Sequence, residues 1–262
     1  RRVLAGVLAA GLMLLSALAA DNPSDAKREF SLPDTSLFTH CRFVYESNCM
    51  ICHGARGRGD GTMVMEDWPD KPRNFTAAVY KYKSTPDDKL PTDADLERTI
   101  RHGIANTNMP IFSHLREDEL RSVIEYLKFL SRSWRNPGNY ADPIAIPATP
   151  EWFEEPTELI KHQADGRQQY VQSCLPCHGE DADGRGPAST ALVNSKGETI
   201  YPADLRTRLK SGRTPQDTWR TIAVGLNGTP MVGYRDLLTA DNIWDLVAYI
   251  HSLRSGGEQI RL

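Results

Sequence analysis

The feature that most constrains this chain is a long internal repeat built around two copies of one short segment. The first copy is residues 45–54 (YESNCMICHG) and the second is residues 170–179 (YVQSCLPCHG). His53 and His178 are 125 positions apart. A repeat with so long a period indicates two similar folding units in one chain.

Landmarks downstream of each segment recur in the same order. Residues 99–103 (TIRHG) precede Met109, and residues 221–225 (TIAVG) precede Met231, 122 positions after Met109. Each copy then ends in apolar residues at i, i+3, i+4 and i+7 spacing, which predicts an amphipathic helix. These residues are Leu120, Val123, Ile124, Leu127 and Leu130 in one copy and Ile243, Leu246, Val247, Ile250 and Leu253 in the other. Strand signals are scarce, so we expect an all-α fold.

The expected domain order has four parts. Residues 1–20 are a signal peptide or an N-terminal membrane anchor, residues 21–135 are the first domain, residues 136–160 are a Pro-rich linker, and residues 161–262 are the second domain. Proline fixes φ and removes a backbone donor, which favours a semi-rigid connection. The prolines concerned are Pro137, Pro143, Pro147, Pro150 and Pro156.

Residues 1–20 indicate the compartment. They contain two arginines, an apolar run from Val3 to Leu15 and a small-residue end in which Ala17 and Ala19 form an Ala-x-Ala site, which is typical of a secretory signal. A retained anchor is the alternative, because the run is just long enough to span a thinned bilayer. Both interpretations place the rest of the chain in the periplasm or on the extracytoplasmic face of the cytoplasmic membrane.

The charge balance excludes some partners. The chain has 31 Lys and Arg residues against 34 acidic residues, a net charge of −3. Such a chain has no general attraction to nucleic acid. The hydrophobic fraction of 40% and the charged fraction of 25% indicate a globular protein rather than a disordered chain or a multi-span membrane protein.

The Cys-x-x-Cys-His segments predict the cofactor. Positions i, i+3 and i+4 share one face of a helix, so two thiols and an imidazole converge in each copy. In an exported protein this pattern is typical of covalent c-type haem attachment, in which the thiols bind the porphyrin and the histidine binds iron. Zinc would need further Cys or His pairs, which neither copy has. Disulfides between such close neighbours would stabilise little and leave the histidines unexplained.

On these motifs the chain resembles a tandem dihaem c-type cytochrome, over residues 36–132 and 163–254. The resemblance implies two all-α cytochrome c domains with two covalently attached haem c groups (iron). It assigns haem attachment and iron ligation to a set of eight residues: Cys49, Cys52, His53 and Met109 in the first copy, and Cys174, Cys177, His178 and Met231 in the second. Of these, His53, Met109, His178 and Met231 are the expected metal ligands, and no residue is assigned a catalytic role.

Other residues compete with these ligands. His102 is a rival to Met109 as second axial ligand, although the second copy has Val224 at the matching place. Met63 and Met65 have no counterparts and are interpreted as packing residues. The resemblance also implies that each ligand histidine donates its other ring nitrogen to a backbone carbonyl, and Pro187 is the candidate acceptor in the second copy.

Cys41 is left over after haem attachment. An interchain disulfide, a lipid anchor and an unusual iron ligand are possible roles. The repeat favours a simpler one, because Gly166 stands at the matching place and the resemblance implies a small residue where the first helix crosses the last. Arg98 and Arg220 also match; they are either partners of haem propionates or solvent-facing helix residues.

The resulting prediction is an extracytoplasmic electron carrier. It would transfer electrons between a respiratory dehydrogenase or quinol-oxidising complex and a terminal oxidase or reductase, free or as a subunit of a larger complex. Six-coordinate His/Met iron has no position left for a substrate, so no catalysis of its own is expected. The alternative is a dihaem enzyme, a peroxidase or sulfur-compound dehydrogenase, with one open or displaceable axial position.

Overall fold

A computed structural model describes residues 35–254 of the chain. The predicted signal or anchor segment, residues 1–20, lies outside them. The described part is helical, with two isolated β-bridges and no strand, which confirms the all-α prediction. Its helices are α1 (Thr35–Asn48), α2 (Met50–His53), α3 (Asp93–His102), α4 (Glu117–Phe129), α5 (Pro156–Ser173), α6 (Leu175–His178), α7 (Pro215–Val224) and α8 (Ala240–Ser252). None of them is both long and apolar enough to cross a membrane.

Each copy of the repeat builds its own core. In the first copy α1 packs against α4, and in the second α5 packs against α8 and α7 packs against α8. The apolar stripes predicted for the two terminal helices are buried: Leu120, Val123, Ile124 and Leu127 on α4, and Ile243, Leu246, Val247 and Ile250 on α8. Burying one such side chain stabilises a fold by about 1.5–3 kcal/mol.

The first and last helices of the second copy cross in very close contact. A Cβ atom added to Gly166 of α5 would stand 1.9 Å from the carbonyl oxygen of Asp245 on α8. In the first copy Cys41 of α1 is 1% exposed and lies beside Ser122 of α4. Burial raises the pKa of the Cys41 thiol, so it stays protonated and unreactive. Cys41 is therefore a small buried residue at a helix crossing.

The chain between the two cores is tied to both of them. We call residues 136–155 the strap; it contains short 3₁₀ turns at Pro137–Asn139 and Glu151–Glu154. The Ile144 amide donates to the Ser84 carbonyl of the first core at 2.8 Å. Four apolar strap residues pack against the second core, namely Ile144, Ile146, Trp152 and Phe153. The strap is therefore a fixed part of the fold, and α5 begins at Pro156, inside the predicted linker.

Candidate haem sites

The Cys-x-x-Cys-His residues lie on short helices that continue the first helix of each copy. The Cys49 amide donates to the Tyr45 carbonyl at 2.8 Å, and the His53 amide donates to the Cys49 carbonyl at 2.9 Å. The matching distances in the second copy, through Tyr170, Cys174 and His178, are 2.8 and 2.9 Å. Helical geometry therefore holds the three functional side chains of each copy on one face.

The described residues offer neither of the alternative sites. All five cysteines are free thiols, so neither Cys-x-x-Cys pair forms a disulfide. No group of three or more His, Cys, Asp and Glu side chains within residues 35–254 could hold a metal ion, which leaves zinc without a ligand set. The thiols therefore remain free to form bonds with a cofactor.

The two cysteines of each copy have different surroundings. Burial raises the pKa of Cys49 and of Cys174 to about 12. Burial also raises the pKa of Cys52, whose Sγ lies 4.0 Å from Sδ of Met63 near the surface. Met63 is 48% exposed and Met65 is 59% exposed, so the interpretation of these two methionines as packing residues was wrong. The first thiol of the motif faces the interior, and in the first copy the second lies near the surface.

Both histidines predicted as ligands are held by a backbone carbonyl. Nδ1 of His53 is 3.0 Å from the Arg73 oxygen, and Nδ1 of His178 is 3.1 Å from the Ala203 oxygen. A carbonyl only accepts, so Nδ1 carries the proton and Nε2 keeps its lone pair for a metal. Burial lowers the pKa of both imidazoles, which favours the same neutral form. Pro187 is therefore not the acceptor: the predicted contact exists, but its residue was wrong.

These acceptor residues belong to a turn that returns the chain to the motif. The Phe75 amide donates to the Gly57 carbonyl at 2.7 Å, and the Leu205 amide donates to the Ala182 carbonyl at 2.8 Å. In the first copy the Phe75 ring stacks on His53, with ring centroids 4.4 Å apart. In both copies the turn therefore places a carbonyl against the histidine, and in the first copy it also places an aromatic ring there.

Met109 and Met231 occupy matching places in the two copies. The Met109 amide donates to Oγ1 of Thr107 at 3.1 Å, and the Met109 carbonyl accepts from the Ile104 amide at 3.1 Å. The Met231 amide donates to Oγ1 of Thr229 at 3.2 Å, and its carbonyl accepts from the Leu226 amide at 2.8 Å. The proline that follows one methionine and precedes the other leaves this arrangement unchanged.

A glycine after α3 and another after α7 let the methionine loops approach closely. Gly103 has φ +62° and Gly225 has φ +81°, and a Cβ at either position would lie within 2.7 Å of the carbonyl oxygen of the methionine in its own copy. L-residues with a side chain rarely adopt this backbone conformation. His102, the rival ligand, is an exposed residue at the end of α3.

Sequence reasoning missed some of the residues that build these sites. Tyr45 and Tyr170 donate their hydroxyls to the carbonyls of Gly54 and Gly179, at 2.7 and 2.6 Å. They close the turn that follows each histidine. The repeat carried a signal for them, because both tyrosines stand four residues before the first cysteine of their motif.

Arg98 and Arg220, the arginines at matching positions, lie near each other. Arg98 pairs with Asp95 at 2.8 Å and Arg220 pairs with Asp217 at 2.5 Å. Burial lowers the pKa of Arg220, and the nearby charge of Arg98 lowers it further. Arg220 is 5% exposed, so it is not a solvent-facing residue.

The side chains present fit a haem c in each copy. Each site supplies two free thiols at the attachment spacing, a neutral imidazole with its Nε2 lone pair available, and a methionine on a loop fixed by hydrogen bonds. In the first copy the hydroxyl of Tyr80 is buried and has no hydrogen-bond partner among residues 35–254, as expected where a polar group of the cofactor is to be received.

Comparisons with known proteins agree with this arrangement. A family model described as Cytochrome c matches residues 42–131 and 163–254. The cbb3-type cytochrome c oxidase subunit CcoP of Azospirillum sp. (strain B510) is 24% identical over 260 residues, covering 92% of this chain and 70% of that protein. The same subunit of Azospirillum brasilense is 24% identical over 259 residues, with the same coverage.

A solved structure has the same architecture. It is a chain of the Kuenenia stuttgartiensis reducing HAO-like protein complex Kustc0457/Kustc0458, with a TM-score of 0.72 and 33% sequence identity. The match covers 82% of this chain and 95% of that one. The repeated motif, the doubled helical fold and the two family matches lead to one conclusion: the chain belongs to the cytochrome c family, with two cytochrome c domains in tandem, and is an electron-transfer protein that binds haem c.

Proposed function

We propose that this chain is an exported dihaem cytochrome that passes single electrons between two protein partners. The observation that carries the proposal is the duplicated site: both copies present the same thiols, the same carbonyl-anchored imidazole and the same hydrogen-bonded methionine loop. Because both copies offer the same set of residues, we propose that both carry haem, with Met109 and Met231 as the second iron ligands. Haem c supplies reversible one-electron chemistry when it is bound.

The protein groups favour electron transfer over reaction with a substrate. The Nδ1–H bond to a carbonyl fixes the orientation of His53 and His178, so each imidazole presents Nε2 in one direction. Thr107 and Thr229 hold the backbone of the two methionine loops. A methionine sulfur favours reduced iron and gives a higher potential than a second histidine. These histidines and methionines would hold the iron from positions that the fold fixes.

The proposed donor is a respiratory dehydrogenase or quinol-oxidising complex, and the acceptor is a terminal oxidase or reductase. Two relatives are named as subunits of cbb3-type cytochrome c oxidases, and the similar structure is a chain of a reducing HAO-like protein complex. A bound subunit of such a complex is therefore the favoured form. The proposed location is the periplasm or the outer face of the cytoplasmic membrane, reached through the signal or anchor in residues 1–20.

A potentiometric titration with spectra at each step tests the function. We expect two one-electron transitions, two covalent haems by mass spectrometry, and low-spin spectra with a methionine-to-iron charge-transfer band from both haems. A single transition, or a mass without two porphyrins, would contradict the dihaem proposal. Rapid binding of cyanide or carbon monoxide to the native protein would favour the enzyme alternative, because it requires an open or displaceable axial position.

A further inference from the structure

The loop that leads to Met109 is in contact with the second domain. Nδ2 of Asn106 donates to the Arg208 carbonyl at 2.9 Å, across 102 positions of the chain. An ion pair lies beside this bond, because Asp70, which lines the same surface cleft as Asn106, pairs with Lys210 at 2.6 Å. The second domain therefore binds the loop directly and binds the first domain next to it.

Asn106 stands at a left-handed turn position of this loop. Its φ is +56°, a conformation that asparagine adopts more readily than most residues that carry a side chain. Gly228 stands 122 positions later, at the matching place before Met231, and has φ +78°. The two loops therefore turn alike at this position, and only the first has a side chain there that reaches the other domain.

The loop that leads to Met231 packs against the first domain. A Cβ atom added to Gly228 would stand 2.9 Å from Cγ1 of Val79 in the first domain and 3.1 Å from Oγ of Ser195 in the second. The Gly228 carbonyl also accepts from the Ser195 amide at 3.0 Å, which holds the loop to its own domain. Gly228 thus lies between one residue of each domain, with no room for a side chain.

The two contacts are reciprocal. Arg208 lies five positions after Ala203, and Val79 lies six positions after Arg73. Ala203 and Arg73 supply the carbonyls that hold the two predicted ligand histidines. Each methionine loop therefore meets the segment of the other domain that follows its histidine-holding turn. The interface joins the methionine side of one site to the histidine side of the other.

We infer that each domain positions the methionine loop of the other, and that Asn106 is the residue through which the second domain holds the Met109 loop. This inference rests on the axial roles proposed for Met109 and Met231. Loop motion lets a methionine leave the iron, so a contact that the loop makes only in its closed position favours the bound methionine. Asn106 acts through the loop and is a positioning residue.

The variant Asn106→Gly tests the first contact in the holoprotein, because it removes the side-chain donor and keeps the left-handed backbone. Imidazole added to the oxidised protein competes with the methionine, and loss of the methionine-to-iron charge-transfer band measures its binding. A lost hydrogen bond changes such an equilibrium by roughly two- to tenfold, so we expect imidazole binding to rise about fivefold at the first haem only. Met109→His, which removes the band of the first haem, identifies its share of the signal.

The matched control is Asn108→Gly, the same change at an exposed position of the same loop. It loosens the backbone as Asn106→Gly does, and it leaves the bond from Asn106 to the second domain in place. We expect it to have little effect on imidazole binding at either haem.

The variant Val79→Ala tests the reciprocal contact, with the change in one domain and the response in the other. It removes the methyl groups that lie against the Gly228 backbone. We expect imidazole binding to rise about threefold at the second haem and to stay the same at the first, as for one lost apolar contact. Val64→Ala, at a half-buried valine elsewhere in the first domain, is the control and should leave the second haem unchanged.

The possible failures are distinguishable. A wild-type protein without two haems, or without the methionine-to-iron band, would overturn the proposed function. Two normal haems with equal imidazole binding in Asn106→Gly and Asn108→Gly would overturn this inference alone. A response of both haems to Asn106→Gly, with a matching loss of thermal stability, would also overturn it, because general unfolding would then be the cause. A response of the first haem to Val79→Ala would contradict the reciprocal arrangement.

Discussion

His53 and His178 donate to the backbone oxygens of Arg73 and Ala203, two residues with unrelated side chains. A backbone carbonyl is present whatever side chain a residue carries, so the ligand anchor is kept while the side chain at that position is free to differ. The two methionine loops show the same pattern. Both keep the threonine hydroxyl that accepts from the methionine amide, whereas the proline follows the methionine in one copy and precedes it in the other. At the scale of single residues, the two copies share the backbone contact to the proposed ligand histidine and differ in the side chain of the residue that supplies it.

The axial role proposed for Met109 predicts an effect on one haem only. Met109→His should lower one midpoint potential and remove the methionine-to-iron charge-transfer band of one haem, because imidazole is a better donor to oxidised iron than a thioether. Spectra recorded during a redox titration measure both effects. Met65→Leu is the control, since the Met65 side chain is 59% exposed and its change should leave both potentials unchanged. Unchanged potentials in Met109→His would remove Met109 from the ligand set.

At the scale of helices, each domain depends on one tight crossing. Gly166 lets α5 approach α8 so closely that no side chain would fit between them. In the first domain Cys41 packs beside Ser122 where α1 crosses α4. The crossing fixes the direction in which α5 runs into α6. Because α6 carries Cys177 and His178, packing far from the site sets the place of its ligands.

Gly166→Val should destabilise the second domain by about 3 kcal/mol, the upper part of the range for overpacking a core. The added atoms would meet the backbone of Asp245, which cannot turn away as a side chain can. Thermal or denaturant unfolding followed by helical circular dichroism measures the change. Gln168→Val, an exposed position of the same helix, is the matched control. Equal stability of the two variants would contradict the tight crossing.

Helices and motifs could be predicted from sequence because they depend on local spacing. The stripes on α4 and α8 and the Cys-x-x-Cys-His spacing are properties of neighbouring residues. The acceptor of His178 could not be found this way, because Ala203 is 25 residues away and only the return of the loop brings it close.

At the scale of the whole molecule, several contacts hold the two domains together. Lys210 pairs with Asp70 at 2.6 Å, and Nδ2 of Asn106 donates to the Arg208 carbonyl at 2.9 Å. The strap adds the bond from Ile144 to Ser84 and its own packing on the second core. The domains are thus joined by polar contacts and by an ordered connection.

Hydrogen exchange tests whether the strap is fixed. The Ile144 amide should be protected, because it donates to Ser84, whereas the exposed Ala145 beside it should exchange rapidly. Exchange measured residue by residue on the holoprotein gives both rates within one experiment. Equal rates at Ile144 and Ala145 would mean that the strap is a loose connection in solution.

The ordered strap has a consequence for electron transfer between the two domains. When both domains carry haem, the fold fixes the distance between the two porphyrins. Electron tunnelling between them would then need no domain movement. Electron exchange with the partner proteins, and not movement of one domain toward the other, would then limit the rate.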